Sequence, residues 1–381
     1  MAIKYVTAGE SHGKMLVGII ENIPAGLLID GDFINGELKR RMLGLGRGAR
    51  MQIENDCAEI VAGVRNRRTT GAPIALLVEN ADHKNWSRTI GADAAENDRA
   101  ITAVRPGHAD LAGAIKYGFT DARNVAERAS ARTTAMTVAL GSIAKLYLGE
   151  LGITVESHTV AVGIAKAEEC KDYTDINTRA DADKVRCLDS RASERMVGEI
   201  RLAAISGDTL GGVSEIVVSG CIPGIGSYVS GGSRLDGLLS GAIAAVPSVK
   251  AVEIGNGIAG SAVLGSAFHD SVYMRGGRYV RETNRAGGIE GGMSNGERVI
   301  IRAYFKPIPS LKNGLDTVDI SSGKATKAAE ERGDTCAVAA GGVVCEHAAA
   351  LVIATAISDM LGGDTMNEVV RRYAEKGGKS E

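Results

Sequence analysis

The stretch ARNVAERASARTTAMTVALGSIAKLYLGEL, Ala122 to Leu151, decides the fold class. It reads as one long Ala-rich helix with small residues on many faces, a pattern suited to burial between layers rather than to a surface. Gly141 inside it is a cost unless another backbone packs there. A second apolar helix is expected from about Val343 to Leu361. Outward from these two, Leu16–Ile20, Ala58–Val64, Ile74–Val78, Ser214–Ser219 and Arg298–Phe305 read as strands, and Asp32–Met42 and Leu235–Ala245 as helices. Lys166–Glu194, rich in Lys, Asp, Glu and Arg, reads as a solvated helical excursion. The order is not a regular βαβα alternation, so a doubly wound parallel sheet is disfavoured. The expectation is an α+β fold with helices packed on antiparallel sheets. No linker divides the chain, so residues 1–381 are read as a single domain.

Composition narrows function. Aromatics are 4% of the chain and its formal net charge is −2, which argues against base stacking and against global attraction to nucleic acid or membrane. Attraction for an anion must come from local clusters. The N-terminal run has no basic segment followed by an apolar one, so it does not read as a signal peptide. The longest apolar stretch, near Ala348–Ile357, reads as too short for a bilayer. Six scattered cysteines without a CxxC pair fit reduced thiols in a cytoplasm. The six histidines show neither HxxxH nor HxH spacing, so none of the motifs reads as a metal site.

Six segments carry chemistry. Gly9-Glu10-Ser11-His12-Gly13 fits a surface turn as well as a ligand loop. Ser11 and His12, as neighbours in an extended segment, point to opposite sides and do not make a nucleophile–base pair. In Lys39-Arg40-Arg41 the two arginines lie about 100° apart on a helix, so only one can easily face a site. The glycine-rich loop after it presents Arg47 and Arg50, whose guanidinium forks match phosphate and carboxylate oxygens. A solvated basic helix end and a nucleic-acid stripe are the rival readings. Arg105-Pro106-Gly107-His108-Ala109-Asp110 holds an arginine and a histidine in a defined loop, a setting for proton transfer. Arg128 and Arg132, four apart, should share one helical face and need anionic partners, either Glu127 or Asp121, or a bound phosphate or carboxylate. Gly287–Gly296 lets a flat ligand approach the backbone, and the prolines of Lys306-Pro307-Ile308-Pro309-Ser310 aim Lys306 and Ser310 outward. Neither a Rossmann fingerprint nor a Walker A sequence is present. In Glu331-Arg332-Gly333-Asp334, Asp334 either caps the following helix or serves a site.

Together, in order and spacing, these segments resemble the chorismate synthase family over nearly the whole chain. Gly207–Gly212 and Gly224–Ser227 are also similar to family segments. The resemblance implies a β-α-β sandwich with helices between antiparallel sheets, assembled as a homotetramer. It implies a lyase that converts 5-enolpyruvylshikimate 3-phosphate to chorismate and phosphate by 1,4-anti elimination. The reaction uses reduced FMN without net redox change, with NADPH as an external source of reductant. By the same resemblance the catalytic residues are His12, His108 and Asp334. The substrate residues are Ser11, Arg41, Arg47, Arg50, Arg105, Arg132 and Arg332. The flavin contacts are Arg128, Ala129, Ser130, Pro247, Ser248, Gly291, Lys306, Pro307, Ile308, Pro309, Ser310 and Arg332. Arg41 and Arg47 match positions sometimes assigned to NADPH, but the substrate phosphate is the partner whose charge the chemistry must counter. Gly333 stands where the family commonly has Ser or His, Ala339 where Pro is frequent, and Arg285 where a smaller polar residue is common. The rival functions are an NADPH-dependent flavin oxidoreductase and a non-catalytic RNA-binding protein.

Overall fold

A computed structural model describes residues 2–48, 53–94, 99–329, 331 and 333–378. Two antiparallel sheets enclose the long helices. The first has the strand order Lys4–Ala8, Met15–Glu21, Ile74–Glu79, Ala58–Ala62. Alternation sets its inner face: Leu16 and Ile20 are buried on one strand, and Ile74, Leu76 and Val78 on the next. The second sheet runs Val249–Ile254, Val299–Phe305, Gly212–Ser219, Thr154–Val162, Ala165–Lys166. Between them lie the helices Thr134–Gly149 and Val338–Leu361, with Gly31–Met42 beside them. This is the α+β arrangement expected from the sequence.

Small residues let the layers close. A methyl group on Gly141 would stand 2.5 Å from His347 Cβ and 2.8 Å from the His347 carbonyl oxygen. The glycine that looked costly in an isolated helix is thus the point where the two inner helices touch. The Val338–Leu361 helix has 24 residues, five more at its N-terminus than the sequence pattern marked. By length and composition alone it is able to cross a membrane, contrary to the shorter apolar stretch first read; 78% of its most apolar window is buried within the fold.

Two expectations fail for identifiable reasons. The Ala122–Leu151 helix is broken. Arg123–Ala129 is helical, Ser130 is extended (φ −67°, ψ 143°), Ala131–Thr133 forms a tight turn, and Thr134–Gly149 resumes. The Ser130 hydroxyl accepts from the Arg132 backbone N–H at 3.2 Å, so a hydroxyl side chain competes with the helical ladder. The Lys166–Glu194 span is not a solvated excursion throughout. Ile176, Ala180, Val185 and Cys187 are buried, and Arg186 is 1% exposed. Its Nε donates to Asp181 Oδ1 at 2.7 Å and its NH1 to Ser157 Oγ at 3.0 Å.

Arg186 belongs to an ionic network inside the helix layer. Glu346, wholly buried on the apolar helix, accepts from Arg40, Lys145, Ser157 and Asn177. Burial alone would raise its pKa, but the charges of Lys145 and Arg40 outweigh that and hold it well below the ordinary carboxylate range. Glu37, Glu346 and His347 lie close enough to share a metal ion. Lys145 and Arg40 already supply positive charge to both carboxylates.

Candidate active site

The break at Ser130 opens a cavity of about 510 Å³ beside the inner helices. Its walls come from distant segments: the loop after the first strand, the end of the Gly31–Met42 helix, the Arg105–Asp110 loop, the Ser130 break, and the loops at Pro247, Lys306 and Glu331. Apolar surface from Ala129, Ala131, Pro247, Ile308, Pro309 and Ala337 alternates with Arg41, Arg47, Arg105, Arg123, Arg132 and Lys306.

Each guanidinium is held from behind. Arg41 Nε donates to Thr134 Oγ1 at 3.0 Å and its NH2 to the Ala131 carbonyl at 2.8 Å, while NH1 lies 3.5 Å from Asp56. Burial, with Arg47 and Arg132 nearby and Asp56 opposing, pushes the Arg41 pKa down to about 10. Arg132 bonds the same Asp56, and also Asn80 Oδ1 at 2.7 Å and the Glu79 carbonyl at 3.1 Å. Arg40, one residue before Arg41, turns into the buried ionic network instead, as the 100° offset requires. Arg105 grips Asp110 with two parallel bonds, Nε to Oδ2 at 2.8 Å and NH2 to Oδ1 at 3.0 Å, and reaches Ser310 Oγ at 3.3 Å. Arg47 pairs with Asp334 at 3.2 Å, and the Gly48 N–H donates to the other Asp334 oxygen at 2.7 Å. Lys306 donates to the Gly107 carbonyl at 2.9 Å; burial, helped by Lys250, lowers its pKa.

The two histidines are anchored differently. His12 is gripped by Glu127: the backbone N–H donates to Oε2 at 2.7 Å, and Nδ1 lies 2.8 Å from Oε1. A carboxylate oxygen accepts, so Nδ1 carries a proton and exchange falls to Nε2. Ser11 donates its backbone N–H to the Glu127 carbonyl and its hydroxyl to Ser130 Oγ at 3.1 Å, away from His12, so the two make no hydrolase pair. His108 Nδ1 lies 2.5 Å from Asp110 Oδ1. Burial would raise the pKa of Asp110, but hydrogen bonds from His108 and Arg105 and their charges prevail and hold it well below the ordinary carboxylate range. Asp110 therefore accepts, His108 Nδ1 donates, and Nε2 is left to move a proton. The 3.1 Å approach of Arg105 NH2 to His108 Nδ1 is then contact between two donors, not a hydrogen bond.

The cavity thus brings together Ser11, His12, Arg41, Arg47, Arg105, His108, Arg132 and Asp334 from the proposed reaction and substrate set. From the flavin set it gathers Ala129, Ser130, Pro247, Ser248, Lys306, Ile308, Pro309 and Ser310. Arg128, Gly291 and Pro307 do not line it. The helix break separates Arg128 from Arg132, and Arg128 turns to the Thr7 and Gly9 carbonyls at 2.7 and 3.0 Å. Gly291 forms the turn between Ile289–Glu290 and Met293–Ser294. Arg50 and Arg332 lie outside the described residues. Sequence reading gave no site role to Trp86, Arg123 or the anchor Asp56. It offered Glu127 or Asp121 as partners of the arginine pair, whereas Glu127 holds His12 and Asp56 holds Arg132. The one available signal was that Trp86 is the only tryptophan in the chain.

Fold and site together define an α+β protein, its helices between two antiparallel sheets, with a deep guanidinium-rich cavity carrying two carboxylate-anchored histidines. The chorismate synthase family model matches residues 3–358. Chorismate synthase from Carboxydothermus hydrogenoformans is 47% identical over 374 residues, covering 97% of both chains. That from Bacillus cytotoxicus is 46% identical, covering 98% of this chain and 99% of the other. A solved chorismate synthase crystal structure superposes with a TM-score of 0.79 at 34% identity, covering 98% of this chain and 97% of that one. The chain belongs to the chorismate synthase family.

Proposed function

We propose that the chain converts 5-enolpyruvylshikimate 3-phosphate to chorismate and inorganic phosphate, a shikimate-pathway step toward aromatic amino acids. The observation that carries this reading is the convergence of Arg41, Arg47, Arg105 and Arg132 on one cavity that also holds His12 and His108. The substrate bears two carboxylates and a phosphate. Preorganised guanidinium groups orient these and stabilise charge as it moves to the departing oxygen.

The reaction is a 1,4-elimination. The C3–O bond to phosphate breaks, its electron pair leaves with the phosphate, the C1=C2 bond shifts to C2=C3, and the C6–H pair forms C1=C6. His12, with Nδ1 fixed on Glu127, delivers a proton from Nε2 to the departing phosphate. Arg41 and Arg132, both braced on Asp56, hold that phosphate. Arg47, locked on Asp334 beside them, adds its charge at the phosphate, and Arg105, locked on Asp110, orients a carboxylate.

Reduced FMN, when bound, supplies electron density to the elimination and accepts the C6 proton. The residues present fit such a group. Apolar groups of Ala129, Pro247, Ile308 and Pro309 line the same cavity as the hydrogen-bonding groups of Ser130, Ser248, Lys306 and Ser310. The volume suits a ring system with a small ligand on it. Asp334 and His108 line the same cavity and, on this reading, would handle protons for the bound group. NADPH acts as the external source of reductant. We further propose a cytoplasmic homotetramer that engages neither nucleic acid nor membrane.

The test is an anaerobic assay of phosphate release from the ester with photoreduced FMN. Release is expected only with reduced flavin and without net flavin oxidation. Equal release without flavin, or consumption of one NADPH per product, overturns the reading.

A further inference from the structure

We propose that Trp86 is a positioning residue that sets the plane of the His12 imidazole for proton delivery. The inference rests on the reading of His12 as the proton donor. Glu127 holds that ring at one nitrogen only, 2.8 Å from Nδ1. A hydrogen bond at one ring nitrogen does not by itself stop the ring plane from swinging about that contact. The face of Trp86 removes the swing: the two ring centroids are 3.9 Å apart, with planes inclined by 22°. Both side chains are buried, Trp86 at 7% and His12 at 9% exposure, so the stack is not diluted by water.

The indole is itself fixed. Its Nε1 donates to Asp82 Oδ2 at 3.3 Å, and Asn85 donates to Asp82 Oδ1 at 2.8 Å. Asp82 is 1% exposed, and the same Oδ2 lies 4.0 Å from His12 Nε2. From the adjoining residue, His83 Nδ1 lies 2.9 Å from the His12 carbonyl oxygen and donates to it. The tight turn Ala81–Asn85 and the tryptophan after it therefore hold His12 at its backbone, along its edge and over its face. The indole is further held by cations, the Arg99 and Arg123 guanidinium groups lying 4.0 and 5.2 Å from its ring centroid.

The experiment is steady-state phosphate release with photoreduced FMN for Trp86→Phe, Trp86→Leu and His12→Ala, and for each Trp86 variant combined with His12→Ala. Trp86→Leu is expected to lower kcat about five- to tenfold, the scale of a lost aromatic pair, with KM changed less than about twofold. Trp86→Phe keeps a ring over His12 and should recover most of that loss. In the His12→Ala background neither Trp86 change should cost anything further. Where the Leu variant melts early, the Phe variant still decides: its smaller loss must vanish in that background. Equal losses with and without His12, a loss that falls on KM, or a Phe variant no better than Leu each overturn the inference. An unaltered rate in His12→Ala alone removes the reading of His12, and with it this one.

Discussion

Asp56 braces both Arg41 and Arg132, and Asp56→Asn is the sharpest test of how these arginines are held. Its carboxylate is wholly buried and faces Arg132 NH1 on one oxygen and Arg41 NH1 on the other. The amide preserves shape but removes the charge, and it turns an N–H donor toward one of the two guanidinium groups. Removing one partner of a buried ion pair costs about 3–5 kcal/mol. Both arginines keep other acceptors, Thr134 Oγ1 and the Ala131 carbonyl for Arg41, and Asn80 Oδ1 and the Glu79 carbonyl for Arg132. The lower end, about 3 kcal/mol, is therefore expected. At about 2.1 cal/mol/K per residue, the unfolding entropy of 381 residues is about 0.8 kcal/mol/K, so the melting temperature should fall by about 4 °C. The cavity also becomes one unit more positive, so inorganic phosphate should restore stability to the variant more than it adds to the native chain. Thermal melting with and without phosphate measures both effects. A variant that melts like the native chain, with the same phosphate shift, shows that Asp56 is not the shared counter-charge.

Gly141→Ala should destabilise by about 2 kcal/mol, because the strain of overpacking against the His347 backbone exceeds the gain of about 1 kcal/mol in helix propensity. Gly198→Ala, on a helix where a methyl group meets nothing within 4 Å, should stabilise instead; denaturant unfolding of the pair checks the sign of each. For Glu37, burial would raise the pKa, but the hydrogen bond and charge of His347, with Lys145, prevail and depress it. A depressed carboxylate stabilises the fold above its unfolded value and loses that contribution as pH falls below about 4.5. Glu37→Gln should thus be less stable at neutral pH yet lose less stability on acidification. Parallel stability–pH curves for the two chains would contradict this.

What was readable in the sequence follows from where the physical cause lies. Strands such as Ile74–Glu79 and Val299–Phe305 carry runs of β-branched and aliphatic residues, so local pattern was enough. Thr154–Val162 and Val249–Ile254 went unread. The first carries Glu156, Ser157, His158 and Thr159 in its middle, and the burial of Ser157 and His158 makes sense only with distant partners such as Glu346, Arg186 and Glu215. The break at Ser130 is local chemistry, but Ala-rich flanks hide it. In the site, glycine and proline marked the loops that hold His12, His108 and Asp334. Asp56 had no such mark: its partner Arg132 is 76 residues away, and only the fold brings them together.

Under the proposed function, the arrangement of charge explains how the cavity holds a ligand with two carboxylates and a phosphate and still releases phosphate. Arg41, Arg47, Arg105, Arg123, Arg132 and Lys306 line it. Against them stand Glu54, Asp56, Asp110, Glu127, Glu331 and Asp334, on its wall or directly behind it. Among the described residues these basic groups are offset by carboxylates close by, which weakens the reach of the cavity's positive charge. Attraction therefore depends on direct N–H contact at short range rather than on bulk potential. Each carboxylate occupies part of its arginine's donor set and fixes the direction of the remainder, so the ligand meets donors that need not reorganise. Unpaired arginines at the same places would bind any anion, the released phosphate included. Pairing them from behind trades indiscriminate affinity for geometry, and geometry is what separates a ligand with two carboxylates and a phosphate from phosphate alone.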